Sequence, residues 1–101
     1  MNSAVLILFS RKGCCLCEAL EKKLSSINLI NLTPPVVLSV VDIDSEEVSI
    51  DIQRKYTNDV PVLLIESNKL SKRVELPRVS PRMTEDPLLT WIQKNLNIFL
   101  N

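Results

Sequence analysis

Three cysteines stand within four positions of the stretch RKGCCLCEAL, residues 11 to 20, and the chain has no others. Cys14 and Cys17 have the Cys-x-x-Cys spacing, which serves redox thiols, metal ligation and structural cross-links alike. The sequence holds no histidine, which removes Cys-His and Ser-His nucleophilic catalysis, histidine metal ligands and imidazole proton shuttles. Sulfur must therefore carry the chemistry. Gly13 is the only glycine, so a Gly-rich phosphate loop and a dinucleotide fingerprint are excluded as well.

Local elements decide what the thiols can do. Residues 4–9 form a continuous apolar run, as expected for a strand buried on both faces. After Arg11, Lys12 and Gly13 the period changes. Leu16, Ala19, Leu20, Leu24 and Ile27 recur at helical spacing, and Glu18 with Lys22 makes a favourable i, i+4 pair, which predicts a helix from about residue 15 to 27. Cys14 then lies at its N-terminal edge, where unpaired backbone N–H groups and the positive end of the helix dipole stabilise a thiolate. Arg11 and Lys12 add positive charge nearby. On these grounds Cys14 is the expected nucleophile. Cys17, three residues on, lies on the same side of the first turn and is the expected resolving thiol. Cys15 should point away from the pair, and its expected place is in or near the core.

Thr33, Pro34 and Pro35 break the chain, and residues 36–41 read as a second buried strand. Asp44 with Glu47 resembles a helix cap, and Val48, Ile52 and Tyr56 share one face of a second helix ending near residues 56–58. Val60 and Pro61 lead into a third strand at 62–65, a turn follows at 66–70, and alternation over 72–76 fits a fourth strand. Pro77 and Pro81 bracket an irregular connection. Asp86 and Pro87 then open a last helix with Leu88, Trp91, Ile92 and Leu96 inward. The expected fold is α/β, more fully α+β: β-α-β-α-β-β-α around a four-stranded mixed sheet, in a single domain spanning residues 1–101.

The chain has 101 residues, 46% of them hydrophobic and 24% charged, with 12 basic against 12 acidic side chains. That composition is globular, and the balanced charge gives no field to attract nucleic acid or anionic lipid. Neither a nucleic-acid nor a membrane partner is expected. No apolar run approaches the ~18 residues of a membrane span, and residues 1–9 lack the basic lead and cleavage site of a signal peptide. A cytoplasmic monomer is the expectation. In that compartment clustered cysteines point to redox or metal chemistry rather than to a structural disulfide. A zinc site within one chain would need four ligands, and the sequence supplies one Cys-x-x-Cys without a second pair. No metal is assigned. Two chains pooling four thiolates around zinc or an iron–sulfur cluster remain the rival reading, and a binding module without turnover is the third.

The segments SRKGCCLCEAL and DVPVLL, with the strand and helix around the first, resemble the thioredoxin fold. They are most similar to small glutaredoxin-like proteins with a Gly-Cys-x-Leu-Cys motif, and the likeness spans nearly the whole chain. It implies thiol–disulfide exchange at Cys14 and Cys17, with a proline opening the third strand in the cis form, here Pro61. Val60, just before it, is implied to pair its backbone with the substrate. Lys12 has two readings: it stabilises the thiolate or meets a glutathione carboxylate, or it is a solvated loop charge. No bound cofactor is implied. The expected partner is a disulfide-containing protein or glutathione, with glutathione or a reductase system expected to restore the dithiol. The Gly-Gly segment and acidic residue that hold glutathione in many relatives are replaced here by LPRVSPRM, residues 76–83.

Overall fold

The computed structural model describes residues 3–80 and 82–100. The expected role of Pro81 in the connection before the last helix lies outside the described residues. Strand β1 (Ala4–Ser10) is followed by helix α1 (Cys15–Ser26), one 3-10 turn (Leu29–Asn31) and strand β2 (Val36–Asp42). Helix α2 (Ile50–Tyr56), strands β3 (Val62–Ser67) and β4 (Val74–Glu75) and helix α3 (Glu85–Leu100) complete the order. The sheet runs β2-β1-β3-β4, with β1 parallel to β2 and antiparallel to β3, and β4 antiparallel to β3. This is the expected mixed sheet in a thioredoxin-like α/β fold.

Strand β1 is buried along almost its whole length because helices cover both of its faces. Its Ala4, Leu6 and Leu8 join Leu20 and Leu24 of α1 and Leu88, Ile92 and Leu96 of α3 in the larger core. The alternate residues Ile7 and Phe9 join Ile43, Tyr56, Val62 and Leu64 in a smaller core on the other face. Period-2 alternation along one strand therefore divides the interior into two layers.

Five expectations need correction. Strand β2 is not buried: it lies at the edge of the sheet, where Val36 is buried but Val37 and Val40 are exposed. Helix α2 begins at Ile50, not near Asp44, because the preceding polar run forms turns. The Asp42 carboxylate accepts from the Asp44 N–H and the Ser45 hydroxyl accepts from the Glu47 N–H. Ser49 is the real cap, its hydroxyl accepting from the Ile52 N–H at 3.3 Å. Strand β4 is only two residues long, pairing Val74 with Ile65 and Glu75 with Leu64. In α1 the buried stripe is Cys17, Leu20 and Leu24; Leu16 flanks it, about 100° from Cys17 on the side beyond Leu20, and is 54% exposed. Cys15 is likewise exposed and is not a core residue.

Tyr56 ties α2 to the sheet. Its ring is buried against Phe9 with centroids 5.3 Å apart, and its hydroxyl donates to Glu75 Oε1 at 2.8 Å. Burial, and then this hydrogen bond, push the phenol above its ordinary range. A phenol kept protonated by folding contributes stability that is lost as pH rises above about 10 toward the raised folded value. Tyr56→Phe should therefore cost about 1 kcal/mol at neutral pH and flatten the alkaline limb of the stability curve, both measurable by urea unfolding.

Candidate dithiol site

A tight turn delivers Cys14 to the helix. The Cys14 N–H donates to the Arg11 carbonyl at 3.2 Å, and Gly13 has φ of +81°. A closed four-residue turn with positive φ at its third residue is a type II turn, which favours glycine there. A Cβ at Gly13 would meet no atom within 4 Å, so the cost of a side chain is conformational alone. Gly13→Ala is expected to destabilise by about 1–2 kcal/mol, read as a lower midpoint of chemical unfolding.

Cys14 is the N-cap of α1, with extended φ/ψ, and its Sγ accepts from the Cys17 N–H at 3.2 Å. Cys14 and Cys17 are joined as a disulfide, with their Cα atoms 5.2 Å apart. The two sulfurs are not equivalent: Cys14 is half-buried, whereas Cys17 is completely buried. Cys15 is the free thiol of the cluster and faces solvent beside the exposed Leu16.

The other expected site residues gather at the same end of the sheet. Phe9 pairs with Val62, so Val60 and Pro61 sit beside the point where β1 gives way to the cysteine turn. The Val60-Pro61 peptide is cis, as is Thr33-Pro34 at the sheet's other end. Val60 and Pro61 are half-buried, and Lys12 is exposed at the second position of the turn. Pro61 also lines a cleft of about 160 Å³ with Asp59, Glu75 and Arg78. Arg78 closes one side by donating to the Asp59 carbonyl at 2.9 Å and to its carboxylate at 3.3 Å.

Arg11 does not point its charge at the sulfurs. Its Nε and Nη2 donate to the two Asp44 carboxylate oxygens at 2.8 and 3.0 Å. Its Nη1 and Nη2 donate to the carbonyl and hydroxyl of Thr57, each at 2.8 Å. The hydrogen bond from Arg11 holds the Asp44 carboxyl below its usual range, and Asp44 in turn raises the guanidinium. The spacing of residues gave no sign of this link. Its partners lie 33 and 46 positions away along the chain.

Among the described residues no three His, Cys, Asp or Glu side chains converge as metal ligands. No described helix is long and apolar enough to cross a membrane. Residues 5–93 match the family model described as "Glutaredoxin-like domain (DUF836)". No curated protein matches the chain. The chain is similar to a solved structure described as "Structure of a malarial protein", at 22% identity and a TM-score of 0.62, over 94% of this chain and 99% of that one. At that identity the likeness shows the fold alone.

Proposed function

The chain belongs to the glutaredoxin-like domain family (DUF836), and from that premise we propose that it is a thiol–disulfide oxidoreductase that reduces disulfides with Cys14 and Cys17. The observation that carries the reading is the asymmetric pair at the start of α1: a half-buried Cys14 at the cap and a buried Cys17 beneath it. In the reduced protein the Cys14 thiolate, stabilised by the Cys17 N–H and the helix terminus, attacks one sulfur of a substrate disulfide. The S–S bond of the substrate breaks, its other sulfur leaves as a thiolate that takes up a proton, and a mixed disulfide forms at Cys14. The Cys17 thiol, losing its proton, then attacks Cys14 Sγ, releases the second substrate sulfur as a thiol and leaves the Cys14–Cys17 disulfide. Two electrons have passed to the substrate.

Val60 supplies backbone groups to an extended substrate segment, and Lys12 attracts its carboxylates. Glutathione or a reductase returns the two electrons. The family and the position of the pair support the dithiol chemistry, while the substrate is read from chemistry alone. Turnover of insulin and of a small disulfide, with glutathione and with a thioredoxin reductase system as donors, tests it. Reduction with either donor is expected, and no turnover with both would leave a binding module instead.

A further inference from the structure

We propose that Arg11 is a positioning residue that braces the Cys14 turn against the segment carrying Pro61, through the shape of its guanidinium and not through its charge. The proposal rests on the dithiol reading above. Two sets of contacts carry it. The Arg11 carbonyl receives the Cys14 N–H, closing the turn that sets the cap. The side chain of the same residue reaches 46 positions along the chain to take both the carbonyl and the hydroxyl of Thr57. Thr57 begins segment 57–61, which runs directly into the cis peptide Val60-Pro61.

One residue therefore joins the two halves of the site, and Asp44 holds its fork in the plane that makes this reach possible. A guanidinium can meet a carboxylate with two N–H groups and a carbonyl and hydroxyl with others at once, whereas a lysine ammonium cannot reproduce that fork. With its charge already matched by Asp44, Arg11 contributes geometry: it limits how far Cys14 can drift from Cys17 and from the substrate-facing backbone at Val60. Such drift lowers the effective concentration of one thiol at the other.

The test is the equilibrium of the reduced and disulfide forms with reduced and oxidised glutathione, measured by alkylation and mass in a Cys15→Ser background. Arg11→Met is expected to shift it about tenfold toward the dithiol, and Arg11→Lys by a similar factor despite its retained charge. Arg73→Ala, which breaks the exposed ion pair with Glu66 on β3, should leave the equilibrium unchanged. Wild-type behaviour of Arg11→Lys would overturn the proposal in favour of charge. A lower melting temperature for both Arg11 variants with no shift in the equilibrium would also overturn it, leaving a structural role only. If the Arg11 variants do not fold, Thr57→Val and Asp44→Asn each remove one arm of the brace. Both should shift the equilibrium in the same direction by less, and no shift in either would sink the idea. This equilibrium is measured without any enzymatic turnover, so its outcome is independent of the insulin and small-disulfide assays.

Discussion

Cys14→Ser is expected to lower the rate of disulfide reduction by more than roughly a thousandfold, because a hydroxyl at this cap is not ionised near neutral pH and cannot replace a thiolate nucleophile. Cys17→Ser should behave differently. It leaves the attack intact and removes the second step, so the substrate should remain bound to Cys14 after one exchange. Cys15→Ser is expected to retain turnover, since that thiol lies at the exposed surface outside the disulfide. The contrast among the three variants is the signature of an ordered pair with a bystander. Loss of turnover in all three to the same degree would point instead to a general effect of the motif on folding.

The largest stability effect is expected at the centre of β1. Leu8 is fully buried, pairs with Val40 on one side and Leu63 on the other, and packs in the core shared with α1 and α3. Neighbouring strands on both sides leave little room for collapse, so Leu8→Ala should cost about 2–5 kcal/mol. Against a total stability on the order of 5–15 kcal/mol for a domain, that is a large share. Urea unfolding followed by far-ultraviolet circular dichroism reads it. A loss below about 1 kcal/mol would mean that the two layers meeting at β1 are less tightly packed than described.

Much of this architecture was legible in the sequence because the central elements follow local rules. The apolar run at 4–9, the helical period after Gly13 and the apolar run after Pro61 each mark one element, and each appears within a residue or two of its expected bounds. The place of Cys14 at the start of α1 was legible for the same reason: the helical period begins just after it, which is a local pattern.

What could not be read was non-local or depended on packing. Arg11 and Asp44 are 33 positions apart, and polar contacts across such a distance leave no periodicity in the chain. Capture of Asp44 by Arg11 and the turns at Ser45 explain why α2 starts late. Leu16 looked like part of an inward stripe, yet the helix presents only a narrow face to the sheet and leaves that side chain outside. The ion pair of Arg78 with Asp59, just before Val60, was hidden in the same way, since a loop charge carries no mark of its partner.

The most direct test of the central claim is the mass of the adduct formed when reduced Cys17→Ser protein meets a disulfide peptide, followed by proteolysis to locate the modified cysteine. A mixed disulfide on Cys14 is predicted. Modification found only on Cys15, or no adduct under conditions where a free thiol peptide exchanges, would contradict it.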